Sequence, residues 1–340
     1  MRKLLNTLYV TTPESYLSKD GMNIVISINQ KEVFRIPIIN LEGIVTFGYM
    51  GSSPGVMKLC VDNGVSLTFL SPSGRFVSRI QGPTKGNVLL RKKQYTLSED
   101  PNFVIHLSKL FIAGKIHNYR NVLQRYNRDY EINKDIEKAA NILDTHKSDS
   151  ILAKDPNQLR GIEGDAANAY FSVFNTLILN QKNDFVFNNR SRRPPKDAVN
   201  AMLSFVYTLL TNETASALET VGLDPYVGFF HTLRPGRTSL ALDLIEELRA
   251  YMGDRLVLSL INRKQINIRD FISQAEDGIA MTESGRKIIL SAWQNRKKEI
   301  ILHPFLNEKI PIGLLPYVQS MLLARYLRGD IDDYPVFLIR

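Results

Sequence analysis

The chain has 340 residues, 44% hydrophobic and 23% charged, the balance of a globular protein, and its net charge of +9 favours polyanionic partners such as nucleic acid. Cys60 is the only cysteine, which excludes an intrachain disulfide, a redox pair and a thiolate zinc site, and fits a reducing compartment. No apolar run reaches membrane-spanning length and no signal peptide is recognisable, so we expect a cytoplasmic protein with no membrane association.

Short segments rich in Val, Ile, Leu and aromatic residues predict a β-rich N-terminal domain over residues 1–90. Turn-forming residues separate the predicted strands, which are 7–10, 23–28, 33–39, 43–47, 66–70 and 75–80. Residues 54–62 predict one short helix, capped by Ser52 or Ser53 and followed by Gly64. No convergent set of catalytic side chains occurs in this part of the sequence, so we expect it to serve structure and dimerisation.

Residues 82–86 interrupt the β pattern with Gly and Pro, and they mark the predicted junction between two domains. From Pro101 onward the apolar residues recur with the period of a helix. We expect a loop at 147–150 and helices over 103–130, 136–143, 198–211, 213–221 and 316–327. The predicted fold class is multi-domain α+β, in which the β-rich domain is followed by an all-α domain over residues 91–340 that carries the candidate catalytic residues.

Glu163 lies in a segment whose small residues would let the start of a helix approach its neighbours closely. The apolar stripe of this helix is predicted to consist of Tyr170, Phe171, Phe174 and Ile178. We expect Glu163 in the first turn or just before it, where a carboxylate also stabilises the positive end of a helix. A capping role is therefore the alternative to a role in a metal site.

An aromatic run ends at His231, and the helix that follows it carries three acids, Asp243, Glu246 and Glu247. Their spacing places them near one another, where like charges cost free energy unless a cation lies among them. The helix itself is predicted from a cap at Thr238 or Ser239 and from a buried stripe formed by Leu240, Leu244 and Leu248. A histidine with clustered carboxylates indicates a divalent metal site. The alternatives are a hydrogen-bonded core histidine and solvated surface acids.

Two arginine-rich loops are the candidates for contacts with phosphate. The first is stiffened by two consecutive prolines, and its cations are Arg190, Arg192, Arg193 and Lys196. The second follows His231, and its cations are Arg234 and Arg237. Each guanidinium offers a fork of donors that matches a phosphodiester, so we expect both loops to bind DNA. For the first loop, ordinary solvation at the surface is the alternative.

Three separated motifs resemble the CRISPR-associated endonuclease and integrase of spacer acquisition, the universal first Cas protein. They are Arg-Gly-Ile-Glu-Gly at 160–164, Arg-Pro-Pro-Lys-Asp at 193–197, and Gly-Leu-Asp-Pro at 222–225, which leads through His231 to Glu246 and Glu247. Two N-terminal segments, 9–16 and 41–45, are similar to the version found in type I-C systems. The resemblance covers most of the predicted helical half.

The resemblance implies one Mg²⁺ or Mn²⁺ per active site, bound by Glu163, His231 and Glu246, with Asp243 as a supporting acid. Some members of the family have Asp where this chain has Glu246. Carboxylates suit both cations, and the imidazole favours Mn²⁺. The implied reaction inserts foreign DNA into the CRISPR array by attack of a 3′-hydroxyl on a phosphodiester, so no side-chain nucleophile is required.

The resemblance also implies a homodimer joined mainly through the β-rich domains. Two such dimers would assemble around a dimer of a small partner, the second universal CRISPR-associated protein. The DNA partners would be an incoming double-stranded fragment and the CRISPR repeat. Two other functions are compatible with the residues: a structure-selective nuclease that acts on branched DNA in repair, and a non-catalytic DNA-binding scaffold.

Overall fold

The computed structural model describes residues 6–48, 51–72, 76–80, 82, 88–274 and 278–339. Within these ranges the N-terminal part consists of strands and one helix, α1 (Pro54–Asn63). The strands are β1 (Thr7–Val10), β2 (Ser15–Asp20), β3 (Asn23–Ile28), β4 (Lys31–Pro37), β5 (Gly43–Phe47), β6 (Gly51–Ser52), β7 (Ser66–Leu70) and β8 (Phe76–Ile80).

The described strands of this part form two four-stranded sheets. In the order β1-β5-β7-β8, the first three strands are parallel and β8 runs antiparallel to β7. In the order β4-β3-β2-β6, the first three strands are antiparallel and β6 runs parallel to β2. Both sheets and α1 bury side chains in one shared core, which includes Leu17, Ile24, Ile44, Val56 and Leu67.

Helix α1 has the cap that the sequence predicts. The Ser53 hydroxyl accepts a hydrogen bond from the Val56 N–H at 3.3 Å, and Gly64 ends the helix at a positive φ of 64°. Strand β4 begins and ends two residues before the predicted 33–39, because residues 38–40 form a 3₁₀ turn. Position 75 of the last predicted strand and most of the predicted junction lie outside the described residues.

Strands β2 and β6 were absent from the prediction. The sequence of β2, Ser-Tyr-Leu-Ser-Lys-Asp, has four polar or charged residues in six, and only Ser15 and Leu17 are buried. Strand β6 has just two residues and takes its conformation from pairing with Tyr16 and Leu17 rather than from its own sequence. In both strands, tertiary pairing decides the structure.

The rest of the chain is mainly helical. Its helices are α2 (Val88–Ser98), α3 (Pro101–Asp129), α4 (Lys134–Leu152), α5 (Pro156–Ser172), α6 (Ala198–Thr220), α7 (Ser239–Ile245), α8 (Arg255–Asn262), α9 (Glu283–Lys298) and α10 (Leu315–Arg328). Among the described residues, short antiparallel pairs join β9 (Phe271–Gln274) to β10 (Gly278–Met281) and β11 (Ile300–Leu302) to β12 (Lys309–Pro311). The predicted α+β class is confirmed, with these short pairs as an addition to the helical region.

Three predictions about helices were wrong. Residues 147–150 are helical, because α4 continues to Leu152. The two helices predicted over 198–221 are one helix, α6, whose buried face runs without a break through Leu210, Thr214 and Leu218. Helix α5 starts at Pro156 with Asp155 as its cap, so Glu163 lies in the middle of the helix. The capping role considered for Glu163 therefore belongs to Asp155.

The β-rich and helical parts contact each other directly. Phe47 at the end of β5 packs against Phe205 of α6 with ring centroids 5.7 Å apart, and Arg79 of β8 forms an ion pair with Glu219. Helix α2 begins at Val88, two residues before the predicted boundary. Among the described helices, none combines the length and apolar character needed to cross a membrane.

Candidate active site

Two carboxylates from distant parts of the chain meet at one buried lysine. Lys115 on α3 places its Nζ 2.7 Å from Glu246 Oε2 and in an ion pair with Oε1 of Glu163 on α5. The side chains of Lys115 and Glu246 are each 2% exposed, whereas that of Glu163 is 25% exposed. The predicted meeting of Glu163 and Glu246 is therefore present, and Glu163 lies on its solvent side.

His231 is held by the supporting acid, Asp243. The fully buried Asp243 carboxylate has Oδ1 2.7 Å from Nδ1 of the His231 ring, and it accepts the His231 backbone N–H at 2.8 Å. An ionised carboxylate only accepts hydrogen bonds, so Nδ1 is the donor in its contact with Asp243. The other ring nitrogen, Nε2, lies 3.7 Å from Oε1 of Glu246. The imidazole thus turns Nε2 toward Glu246.

The segment Phe229–His231 packs closely against α7, and this close approach depends on Gly228. A Cβ at this position would lie 2.6 Å from Asp243 Oδ2, 2.7 Å from the Ser239 carbonyl carbon and 2.8 Å from the Leu240 nitrogen. Two of these neighbours are backbone atoms and cannot move aside. With glycine there, the N–H groups of Phe229 and Phe230 donate to Asp243 Oδ2 at 2.6 and 3.1 Å.

Helix α7 is shorter than predicted. It ends at Ile245, and a π-helical turn over Arg249–Asp254 follows before α8. The predicted stripe of Leu240, Leu244 and Leu248 is fully buried. Thr238 occupies the cap position but makes no side-chain cap bond, and the Ser239 hydroxyl donates instead to the Thr232 carbonyl at 3.3 Å. The prediction of a hydroxyl cap was therefore wrong.

Glu246 is ionised although it is buried. Burial opposes its charge, but Arg249, with Nη1 2.9 Å from Oε1, together with Lys115 and His231, lowers the pKa of Glu246 to about 2. Its two oxygens therefore carry a full negative charge that two cations neutralise. An ionised carboxylate offers the oxygen ligands that Mg²⁺ and Mn²⁺ prefer, and here Lys115 and Arg249 already pair with it.

Glu247 does not join its neighbours, which corrects the expectation that the three acids lie together. Its fully buried carboxylate accepts hydrogen bonds from Gln319 Nε2 at 3.0 Å, from the Tyr334 hydroxyl and from the Phe337 N–H. Burial raises the pKa of Glu247 to about 7. This acid fastens the C-terminal segment behind the site.

The arginine-rich loops divide into an inward and an outward part. Arg190 points inward, donates to Asn200 Oδ1 at 2.6 Å and to Ser204 Oγ at 3.1 Å, and lies over the Tyr207 ring at 5.5 Å. Its bonds hold the loop to α6, so a purely DNA-binding role does not account for it. The outward cations, exposed at the surface, are Arg192, Arg193, Lys196 and Arg234.

Arg237 lies close enough to the outward cations to be affected by them. Burial, and then the neighbouring Arg234 and Arg193, lower the pKa of Arg237. The two loops, thirty or more residues apart in sequence, thus bring their positive charges to one place. Such a concentration of like charge is suited to a polyanion.

Lys115 and Arg249 are site residues that the sequence analysis missed. A signal for Lys115 exists, since it stands four residues after Phe111 and four before Tyr119, which are both fully or nearly fully buried. A lysine on the buried face of a helix requires an acid partner. The sequence cannot say which acid, because the partners lie 48 and 131 residues away. A signal for Arg249 exists as well, since it stands three residues after Glu246, a spacing at which side chains on one helix meet.

As they stand, no three His, Cys, Asp or Glu side chains in the described ranges are arranged to hold a metal ion. The Lys115 ammonium lies between Glu163 and Glu246 and supplies the positive charge there. The donor set itself, two carboxylates and one imidazole nitrogen, has the chemistry of a Mg²⁺ or Mn²⁺ site.

Comparisons with known proteins identify the family. The model of the CRISPR associated protein Cas1 family matches residues 8–295. A CRISPR-associated endonuclease Cas1 of Chlorobaculum tepidum is 51% identical over 345 residues, which cover all of both chains. The chain belongs to the Cas1 family. A second Cas1 endonuclease, from Rhodospirillum rubrum, is 48% identical and covers 98% of each chain.

Solved structures share the fold of this chain. A casposase bound to integration product superimposes with a TM-score of 0.83 at 25% identity, over 97% of this chain and 92% of the casposase. A Cas6-RT-Cas1–Cas2 complex superimposes with a TM-score of 0.84 at 20% identity, over 98% of this chain and 36% of the other. The second likeness bears on the fold alone.

Proposed function

We propose that this chain is a metal-dependent DNA endonuclease and integrase, which inserts foreign DNA fragments into a CRISPR array. The observation that carries the proposal is that Glu163 and Glu246 meet at Lys115, with His231 beside Glu246, in a member of the Cas1 family. The Cas1 relatives are named endonucleases, and the similar casposase is described with an integration product.

Glu163, Glu246 and the Nε2 of His231 are the groups that would hold Mg²⁺ or Mn²⁺. The fit rests on their chemistry: oxygen ligands from two carboxylates and one imidazole whose other nitrogen is fixed by Asp243. The chemistry supplied by a bound cation here is stabilisation of charge on the scissile phosphate and the leaving 3′-oxygen.

The remaining residues position the reactants. Asp243 holds the His231 ring in one orientation through bonds to its ring and its backbone. Arg192, Arg193, Arg234 and Arg237 are the proposed contacts to the DNA backbone, because their guanidiniums donate in pairs to phosphate oxygens. The 3′-hydroxyl of the incoming DNA attacks the phosphodiester. The protein therefore supplies orientation and charge rather than a nucleophile of its own.

The proposed partners follow from the family and from one exposed edge. Strand β4 lies at the edge of its sheet, and its Val33 and Phe34 are 54% and 44% exposed. An edge strand that exposes two large apolar side chains can pair with a second protein surface, and we propose homodimerisation there. We also propose assembly with the small second universal CRISPR-associated protein and with double-stranded DNA.

The test uses a duplex with free 3′-hydroxyls, a supercoiled plasmid that carries a CRISPR repeat, and Mn²⁺. We expect covalent joining by the wild type and none by Glu163→Ala, His231→Ala or Glu246→Gln. The control is Glu283→Ala, which removes an exposed acid paired with Lys287 on the surface of α9. Cutting without joining would favour a nuclease acting on branched DNA, and binding with neither reaction would favour a scaffold.

A further inference from the structure

Glu163, Glu246 and the residues in contact with them, Lys115, His231 and Arg249, form what we call the acidic cluster. Lys115 lies at its centre. Its ammonium contacts Glu163 and Glu246, and lies 5.6 Å from the centroid of the Tyr119 ring. Its side chain is 2% exposed, so water does not solvate the charge. Burying an ammonium costs several kcal/mol unless anions surround it. Lys115 is thus held where it is by the two acids of the proposed metal site.

The two acids need a positive charge in their turn. Glu246 is as buried as Lys115, and Glu163 approaches from another helix. Two carboxylates brought together in a medium of low dielectric repel each other strongly. Arg249 offsets part of this charge through its ion pair with Glu246. Lys115 is the described cation that contacts both acids at once.

We propose that Lys115 is a built-in substitute for the metal, which holds the two acids together in the metal-free protein and competes with the incoming cation. This inference rests on the proposed metal site. Metal binding competes with the contacts that Lys115 makes with Glu163 and Glu246, because the ammonium and the metal ion are attracted by the charge of the same two carboxylates. Lys115 is therefore a positioning residue that acts through the two acids, and it weakens metal affinity while it stabilises the metal-free fold.

The inference predicts that removal of Lys115 has opposite effects on the stability of the metal-free protein and on its affinity for metal. Removal of Lys115 destabilises the metal-free protein, because the acids lose their shared partner. The same removal strengthens metal binding, because the competitor has gone. A lysine that merely held the helices together would give the first effect without the second.

The chain offers a matched control in Lys297. This lysine is also 2% exposed, and its Nζ pairs with Glu213 at 2.8 Å and donates to Thr7 Oγ1 at 3.2 Å. Its partner Glu213 contacts the Trp293 indole rather than any residue of the acidic cluster. Lys297→Met therefore breaks a buried lysine–glutamate pair of the same kind at a distance from the proposed site.

The experiment measures Mn²⁺ affinity by calorimetry, and melting temperature with and without Mn²⁺, for the wild type, Lys115→Met and Lys297→Met. We expect Mn²⁺ to bind Lys115→Met about tenfold more tightly than the wild type, within the range typical of coupled sites. Its melting temperature should be lower without metal and should rise more on addition of Mn²⁺. Lys297→Met should melt lower than the wild type but bind Mn²⁺ with unchanged affinity.

The other possible results of this experiment also support or overturn the inference about Lys115. Equal or weaker Mn²⁺ binding by Lys115→Met overturns the inference. If Lys115→Met does not fold alone, folding on addition of Mn²⁺ supports the inference and failure to fold with Mn²⁺ counts against it. Glu163→Gln tests the metal site separately: loss of its Mn²⁺ binding with no change in Lys115→Met removes only the inference. A wild type that binds no Mn²⁺ removes both.

Discussion

Asp243 accepts two hydrogen bonds from His231, one from the backbone N–H at 2.8 Å and one from ring Nδ1 at 2.7 Å. Its other oxygen accepts the N–H groups of Phe229 and Phe230. The carboxylate is fully buried and its oxygens are engaged by the protein. Asp243 therefore acts on the site through the orientation of His231, whereas Glu246 faces the cluster directly.

This difference predicts opposite responses to Mn²⁺. Glu246→Gln should eliminate joining at every Mn²⁺ concentration, since it removes a charged ligand. Asp243→Asn should lower the rate about 10- to 100-fold, as is typical for residues that orient a ligand, and excess Mn²⁺ should restore part of it. The measurement is the strand-transfer rate as a function of Mn²⁺, with circular dichroism to verify folding. The reverse pattern would exchange the roles of the two acids.

The arginine-rich loops predict a separation between DNA binding and stability. Replacing Arg192 and Arg193 with Ala should reduce the slope of log affinity against log salt by about two, roughly one per lost phosphate contact. Arg190→Ala should instead lower the melting temperature, because Arg190 bonds to Asn200 and Ser204. Fluorescence anisotropy over a salt series provides the slope. An unchanged slope in the double variant would place the DNA elsewhere.

Glu247 predicts a loss of stability as pH rises. Its pKa is raised from 4.5 to about 7 in the folded protein, so between these values the folded state binds more protons than the unfolded state. The free energy of unfolding contributed by this group is then fully present below pH 4.5 and declines until pH 7, by about 3 kcal/mol in total.

The check compares urea unfolding of the wild type and Glu247→Gln from pH 4.5 to 8. The unfolding free energy of the wild type should fall relative to that of Glu247→Gln as pH rises through this window, because the glutamine does not titrate. A difference that stays constant with pH would mean that Glu247 is ionised throughout.

Gly228 predicts a strong effect of a single methyl group. Gly228→Ala should destabilise the protein by roughly 1–3 kcal/mol, since the new Cβ would meet backbone atoms of Ser239 and Leu240. Gly161→Ala is the control: its Cβ would meet nothing within 4 Å, and in the interior of α5 it should stabilise by about 0.5–1 kcal/mol. Thermal unfolding of both variants gives the comparison. Equal stability of the two would remove the packing argument.

The sequence correctly predicted features that depend on residues close together in the chain. The spacing of Leu240, Leu244 and Leu248 indicated the buried face of α7, and the hydroxyl of Ser53 indicated the start of α1. The resemblance to the family supplied Glu163 and Glu246, which the structure brings to one lysine. Their roles as metal ligands stay predictions.

What the sequence did not predict depends on tertiary contacts. Glu247 follows Glu246 directly, and adjacent residues on a helix do not face each other; its partners, Tyr334 and Phe337, come from the C-terminal segment. Arg190 looked like an exposed cation, but it bonds to Asn200, ten residues later in the chain. Neither partner is fixed by periodicity, because each contact forms only when separate elements pack.

The C-terminal segment that Glu247 fastens has a consequence for the order of synthesis. The residues of the acidic cluster span positions 115 to 249, and the acid next to Glu246 is bonded to Tyr334 and Phe337. A ribosome must therefore release residue 337 before the backing of the site can close. Chains that stop before Tyr334 lack these partners of Glu247, so the helical turn that carries Glu246 has no C-terminal segment packed behind it.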